Sequence, residues 1–339
     1  MLKVLSLFSG IGAFEKALEN LKVEHEVIKY CEIDKYASYA YSLLHDIGEE
    51  KNLGDISKVK TVELGDFDLL TYGFPCQDIS LAGKRKGIIK GATRSGLLFE
   101  ALRIIEDKRP KYAIAENVRN LVSKMFIKDF EELLSTLDNL GYNSYWKIVN
   151  SKDHSSIQSR ERVFIVSIRK DIDNKKFKFP EEEINNRKLL EVLQDNPDIK
   201  YYCKSNEYLK KFIKEVKRKT VEFRNPNKSG LLRIGDIENP NMLEMNRRVF
   251  SDEGLSPTLV TGSDSIPKIL TCKVRRLTPL ECWRMTGFND EDYWKVRKGF
   301  EDKFYKGKDR SDSQMYKLAG NSIVVEVIEK ILKNLLCQY

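Results

Sequence analysis

Three polar clusters in this 339-residue chain pair residue types that do chemistry together. Gly73-Phe74-Pro75-Cys76-Gln77 sets a thiol directly after the apolar run FDLLTY, and an open α/β sheet delivers its reactive groups at the carboxyl ends of such strands. A cysteine there is a nucleophile or, as a lone intracellular cysteine more often is, a small buried hydrophobe. Glu116-Asn117-Val118 closes another apolar run, so its carboxyl either faces the same cavity as the thiol or is a solvated strand end. Gln158-Ser159-Arg160-Glu161-Arg162 leads into RVFIVSI with two arginines at alternate positions, which an extended chain points to one side. Arginine at a strand start is also common surface decoration.

A second set suits an adenosine-bearing ligand. Phe8-Ser9-Gly10-Ile11-Gly12 stands between the first apolar run and a helical pattern, where an α/β sheet seats nucleotide-like ligands. Glycine turns of this kind also serve as plain strand-to-helix connections. Glu32-Ile33-Asp34 ends the next run with a carboxylate suited to the two hydroxyls of a ribose. Gly54-Asp55-Ile56 offers a carboxylate for an exocyclic amine beside an aliphatic cover for a ring. Acidic residues at successive strand ends, without a phosphate-binding GxGxxG, fit adenosine that lacks a pyrophosphate, and S-adenosyl-L-methionine meets that description. No metal is expected, because the six cysteines contain no CxxC pair and no histidine is spaced to complete a zinc site.

The elements that must position these groups follow from periodicity. KVLSLFSG, GAFEKALENL, HEVIKYCEID and KYASYAYSLLHD alternate strand with helix, and FDLLTYGFP, LLFEALRIIED, YAIAENV and DFEELLSTLDNLGY continue the rhythm of a parallel α/β sheet. NSYWKIV and RVFIVSI, joined only by a polar loop, predict an antiparallel edge pair. After about Lys170 the alternation stops in a densely charged stretch, which marks a domain boundary. Beyond it, YLKKFIKEVKRKT places Tyr208, Leu209, Phe212, Ile213 and Val216 on one helical stripe, more often a solvated surface helix than a nucleic-acid contact. Val324, Val327, Ile328, Ile331 and Leu335 mark a final helix expected to pack back on the first domain.

Composition narrows the class. With 41% hydrophobic and 32% charged residues and a mean hydropathy of −0.46, the chain reads as neither disordered nor membrane-embedded. No apolar run approaches the roughly 18 residues of a membrane span, and MLKVLSLFSG enters a charged helix without a signal-type cleavage site, so a cytoplasmic, reducing location is expected. Lys+Arg 59 against Asp+Glu 51 leaves +8, which favours an anionic partner only if it is focused on one face.

Taken in order, FSGxG, E-x-D, G-D-I, G-F-P-C-Q, E-N-V, Q-x-R-x-R, the distal RRLTPLECWRMTGF and the final G-N-S resemble the cytosine-C5 DNA methyltransferase family of bacteria and phages. The motifs run from Phe8 to Ser322, and only about Asp171 to Lys273 lacks a strong counterpart. The resemblance implies an α/β, Rossmann-like sheet dependent on S-adenosyl-L-methionine, with a smaller target-recognition domain inserted before the C-terminal helix. Its expected bounds are 1–170 plus about 314–339 for the large domain and about 171–313 for the small one.

By the same resemblance Cys76 is the nucleophile that adds to C6 of a flipped-out cytosine, Glu116 holds or protonates N3, and Arg162 binds O2. Arg160 lies beside Cys76 and lowers its thiol pKa, while Pro75, Gln77 and Asn117 shape the loop and pocket. Phe8 stacks on adenine, Glu32 binds the ribose, Asp55 reads the amine, and Ile33 replaces an aromatic contact common in the family. Gly10 and Gly12 admit the methionine part, Ser9, Ile11, Ile56 and Leu97 complete the cofactor set, and Asn321 and Ser322 close it. The loop from Ser80 to Ser95 closes over the base, with Ser80, Lys84, Arg85 and Lys86 among its DNA contacts.

In the variable region Arg247, Arg248, Thr258, Thr261 and Gly262 are the expected DNA contacts, since arginine reads guanine bidentately. RRLTPLECWRMTGF is expected to be structural, through Leu277, Pro279, Trp283 and Phe288. The implied partner is double-stranded DNA, with a restriction endonuclease as a functional counterpart that makes no stable contact, and the protein acts as a monomer without membrane attachment. Two alternatives compete: a tRNA cytosine methyltransferase, whose Cys-Phe-Thr signature after ENV is missing here, and a catalytically silent DNA-binding regulator, which the complete set of reacting residues does not support.

Overall fold

Apolar runs in the first half become strands, and the amphipathic segments between them become helices. In the computed structural model these are β1 (Leu2–Leu7), α1 (Ala13–Asn20), β2 (His25–Cys31), α2 (Lys35–His45), β3 (Leu69–Tyr72), α3 (Leu98–Lys108), β4 (Tyr112–Val118), α4 (Ile127–Asn139), β5 (Tyr142–Asn150) and β6 (Glu161–Arg169). The structure describes residues 1–75, 88, 95–218, 228–262 and 265–336. Cys76, Gln77, Ser80, Lys84, Arg85 and Lys86 therefore lie outside the described residues.

These strands form one sheet in the order β2-β1-β3-β4-β6-β5. β1 runs parallel to β2 and β3, and β3 parallel to β4, whereas β6 lies antiparallel to β4 and β5 occupies the edge beside it. The α/β class expected from the alternation is the one observed. Parallel strands covered on both faces read as continuous apolar runs, and every residue of β3 is buried accordingly. Leu5, Leu7, Leu70, Ala113, Ala115 and Ile165 meet Ile104, Ile105, Phe130 and Leu133 in one core, which holds the strand ends rigid.

A smaller assembly follows: α5 (Glu207–Arg218), β7 (Arg233–Asp236), α6 (Glu244–Arg247), β8 (Arg248–Ser251), β9 (Lys268–Leu270), β10 (Val274–Arg276), α7 (Pro279–Arg284), α8 (Asp290–Phe304) and α9 (Asp312–Asn321), whereas the final helix, α10 (Val325–Leu336), belongs from residue 327 onward with the large sheet. The smaller assembly's own sheet has the order β10-β9-β8-β7. The stripe of α5 is not simply solvated: Leu209 and Phe212 are buried with Ile237, Val249 and Val274, and Tyr208, Ile213 and Val216 pack around them. The RRLTPLECWRMTGF segment is anchored by a buried bidentate pair, with Arg275 Nη1 and Nη2 donating to Glu281 at 2.9 and 2.8 Å. Glu281 also closes a capping box with Thr278 at the start of α7, and fully buried Trp283 donates to the Met315 carbonyl.

The chain divides into two compact units, residues 1–149, 161–181 and 327–339 in the first and 150–160 and 182–326 in the second. These bounds depart from the sequence-based ones at three places. Residues 171–181 stay with the first unit, where Asn143 Nδ2 and Tyr145 OH donate to Asp173 Oδ2. Residues 150–160 join the second unit because Ser159 N donates to Ser256 O, Ser256 N to Ile157 O, and Thr258 Oγ1 to Ser159 O. Residues 314–326 do so because Tyr316 OH donates to Leu277 O and Val325 N to Thr286 O.

Candidate active site

The turn after β1 is built from residues in the left-handed region: Phe8 at φ 54°, Gly10 at 57° and Gly12 at 78°. A bulky side chain at positive φ is uncommon and points to a constrained functional turn. Gly12 is required by packing, since a Cβ there would lie 2.0 Å from His45 Nε2. Gly10 is not required by packing, since a Cβ there would meet nothing within 4 Å, and only its positive φ favours glycine. Gly54 is likewise left-handed and open.

The acidic residues gather around this turn. Glu32 Oε2 accepts from Gly10 N at 2.9 Å, and Oε1 accepts from Asp34 N at 2.8 Å. Burial pushes the Glu32 carboxyl up, against the opposing pull of the Asp34 and Gly10 amides. Asp34 serves instead as the cap of α2, accepting from Tyr36 N and Ala37 N. Asp55 Oδ1 accepts from the amide and hydroxyl of Ser57, which holds its carboxyl below the ordinary range. Ile56 is buried, Leu97 packs against the core at the start of α3, and Ile33 is 78% exposed.

Sequence reasoning missed the residue that ties these pieces together. Asn52 Oδ1 accepts from both Glu32 N and Gly54 N, and its Nδ2 donates to Glu32 O and Ser38 Oγ, so one amide ties the residue after β2 to the Gly54 turn. Cys31 donates from Sγ to Gly54 O at 2.9 Å. Burial, with Glu32 and Asp55 nearby, pushes that thiol up to about 12, so it is a structural donor rather than a nucleophile. The only forewarning was the polar Asn52 two residues ahead of Gly54.

At the carboxyl ends of β3 and β4 the second cluster assembles. Val118 stands opposite Arg162 and Glu116 opposite Phe164, so residues 116 and 162 share a face. Arg162 Nε meets Glu116 Oε1 at 2.8 Å, with the two side chains only 16% and 13% exposed. Arg162 Nη1 donates to Glu161 O, while the Glu161 carboxylate pairs with Arg119 at 2.7 Å. A Cβ on Gly73 would lie 3.6 Å from Glu116 Oε2, which places the carboxyl beside the chain leading to Cys76. That chain is fixed from two sides: Asn117 Nδ2 donates to Phe74 O at 3.0 Å and Ser95 Oγ to Pro75 O at 2.7 Å. Together they offer an acceptor and a planar cation to the edge of a heterocycle.

The remaining expected residues lie in the second unit. Arg160 is buried and donates to Leu259 O and Gly320 O, both at 3.2 Å. Gly320 lies directly against the Val260–Thr261 peptide, where a Cβ would come within 2.6 Å of Val260 C and O. Ser322 ends α9 and is buried, while Asn321 beside it is exposed. Thr258 binds Ser159 as above, and Gly262 O accepts from Ser265 N. Arg247 donates to Met242 O and Pro240 O, and Arg248 to Glu244, so both guanidinium groups brace their own segment.

Among the described residues, no group of three or more His, Cys, Asp or Glu side chains is placed to hold a metal, and no helix is long and apolar enough to cross a membrane.

Comparisons with known proteins agree with this geometry. The model of the C-5 cytosine-specific DNA methylase family matches residues 2–337. The orphan methyltransferase M.SPBetaI of Bacillus phage SPbeta is 32% identical over 447 aligned residues, covering 100% of this chain and 98% of the relative. The type II methyltransferase M.HhaI of Haemophilus parahaemolyticus is 30% identical over 339 residues, covering 98% and 94%. Among solved structures, S. pombe Dnmt2 methyltransferase shares the fold with a TM-score of 0.70 at 19% identity, covering 100% and 99%. With the glycine turn, its acidic neighbours and the Glu116–Arg162 pair in place, the chain belongs to the C-5 cytosine-specific DNA methylase family, whose methyl donor is S-adenosyl-L-methionine.

Proposed function

We propose that this protein methylates C5 of a cytosine flipped out of a short, specific double-stranded DNA site, through a covalent bond between Cys76 Sγ and C6. The observation that carries the proposal is the Glu116–Arg162 pair beside a backbone held by Asn117 and Ser95 immediately before Cys76. The donor's site fits an adenosine ligand: open space at Gly10 and Gly54, the Glu32 carboxylate for a ribose, Asp55 for the adenine amine, and Phe8 and Ile33 for the ring faces. Ser9, Ile11, Gly12, Ile56 and Leu97 shape that site. When bound, S-adenosyl-L-methionine supplies a methyl group on a positively charged sulfur.

The chain's own residues make C5 reactive. C5 of cytosine is a poor nucleophile, and addition of the Cys76 thiolate across C5–C6 moves electron density onto C5. Glu116 donates a proton to, or a hydrogen bond at, N3, and Arg162 donates to O2, so the charge that develops in the ring is met by pre-placed groups. After methylation water takes the C5 proton, the C–H pair re-forms the C5–C6 double bond, and Cys76 leaves C6 as the thiolate. Stacking covers the C5–C6 face in a duplex, so the base must leave the stack, at a cost of a few kcal/mol that DNA contacts offset. Residues 80–95 supply phosphate contacts through Lys84, Arg85 and Lys86, and residues 171–273 read the site, with Thr258, Thr261 and Gly262 as the leading contacts. Arg247 and Arg248 contribute through donors not used on their own segment.

Bisulfite sequencing of plasmid from cells expressing the protein tests the reading. One protected cytosine within one short motif of about 4–6 base pairs is expected. Absence of protected cytosines, with the protein soluble and abundant, would overturn it.

A further inference from the structure

We infer that His45 is a positioning residue that holds the Gly10–Gly12 turn as a doubly protonated imidazolium, so that the turn loosens and donor binding weakens when the ring loses a proton. The role of that turn rests on the function proposed above, whereas the state of the ring does not. His45 is the last residue of α2, and its side chain is only 2% exposed. Nε2 lies 3.1 Å from Ile11 O, the carbonyl between the two left-handed glycines, and Nδ1 lies 2.7 Å from Glu19 Oε1. A carbonyl and an ionised carboxylate only accept hydrogen bonds, so both ring nitrogens must donate, and only the imidazolium has two N–H groups. The missing side chain at Gly12 belongs to the same device, because the ring occupies the space a Cβ would need.

The surroundings suit a buried cation. From α1, Glu19 pairs with the ring, Lys16 lies 3.7 Å from Glu19, and the Glu15 side chain, 1% exposed, lies beside the Tyr41 hydroxyl. From α2 the Tyr41 ring is tilted against His45 at 4.8 Å, and Tyr30 of β2 stacks behind Tyr41 at 4.2 Å. His25, at the start of β2, is the other titratable ring near Glu19. Burial alone would lower the ring's pKa, but the Glu19 hydrogen bond and the Glu15 and Glu19 charges outweigh it and raise it. Burial would likewise raise Glu19, yet His45 and Lys16 leave it below its usual value. Both directions favour an imidazolium–carboxylate pair. A raised histidine stabilises the fold fully below its ordinary value near 6.5, and that contribution is lost as pH climbs through the raised one. The neutral ring keeps a single N–H, so either Ile11 O or Glu19 then loses its donor.

Nitrogen-15 NMR of the full-length labelled protein tests this directly, since the chain has only three histidines and His45→Gln identifies the resonances. At about pH 6, below the ordinary histidine value, both His45 nitrogens should carry protons, the ring should titrate above that ordinary value, and the Gly10 and Gly12 amide shifts should follow its titration. S-adenosylhomocysteine, used as the probe, should bind about 3- to 10-fold more weakly above that titration, and His45→Gln should remove the dependence. A ring already neutral at about pH 6, glycine amides that ignore its titration, or a wild-type pH profile in His45→Gln would each overturn the inference. If the probe binds at no pH, the donor-site reading fails, while the ring and the amides still decide whether the latch exists.

Discussion

Gly10 and Gly12, two positions apart in sequence, should respond differently to the same added methyl group. At Gly12, alanine must adopt φ 78°, which costs about 1–2 kcal/mol, and its Cβ would sit 2.0 Å from His45 Nε2 and 2.9 Å from Tyr41 Cε2. The buried ring must move, sacrificing one charge-assisted hydrogen bond worth about 1.5–3 kcal/mol. A loss of about 3–5 kcal/mol follows for Gly12→Ala, on the order of a 10 °C fall in Tm. At Gly10 the backbone term is the same, about 1–2 kcal/mol, but nothing stands within 4 Å, so stability changes little further. There the methyl group intrudes on space assigned to the donor. Overpacking of about 1–3 kcal/mol makes binding roughly 5- to 100-fold weaker. Thermal unfolding paired with calorimetric titration of S-adenosylhomocysteine separates the two. A Gly10→Ala protein that binds the probe like wild type, or a Gly12→Ala protein with an unchanged Tm, would refute the reasoning.

Other substitutions probe the remaining parts. Glu116→Gln preserves shape but removes the charge facing Arg162; kcat should fall about 10²- to 10⁴-fold in single-turnover assays while the probe binds as before. Arg275→Met leaves Glu281 buried and unpaired, and urea unfolding should register a loss of about 3–5 kcal/mol. Exchanging residues 171–273 with those of a relative of different specificity should carry the methylated motif with the segment; an active hybrid that keeps the original motif would move recognition elsewhere.

The sheet was legible because its signals are local. KVLSLFSG, FDLLTY and YAIAENV are apolar runs bounded by helical periods, and nothing distant is needed to read them. The same holds for the clustering of Gly10 with Glu32 and of Glu116 with Arg162, which follow from neighbouring strand ends. What was not legible depends on long-range partners. The QSRER motif looked like one unit, yet Arg160 binds carbonyls of Leu259 and Gly320 while Arg162 pairs with Glu116. The division between them is set by residues about a hundred positions or more away. Asp34, the second acid of the E-x-D run, is taken up by the start of α2 as its cap. Asn52 and His45 carry no motif, and their importance lies in four and two hydrogen bonds respectively, made across the fold.

The central claim is that Cys76 bonds to the cytosine it helps to methylate. A duplex with 5-fluorocytosine at the methylated position, incubated with the protein and S-adenosyl-L-methionine, tests it most directly. Fluorine cannot leave as a cation, so the elimination that would release Cys76 stalls. The account predicts a denaturation-resistant protein–DNA adduct whose tryptic peptide carries the base on Cys76, and no adduct with Cys76→Ala. Ordinary methylation of the unfluorinated duplex without any adduct on the fluorinated one, or an adduct on another residue, would contradict it.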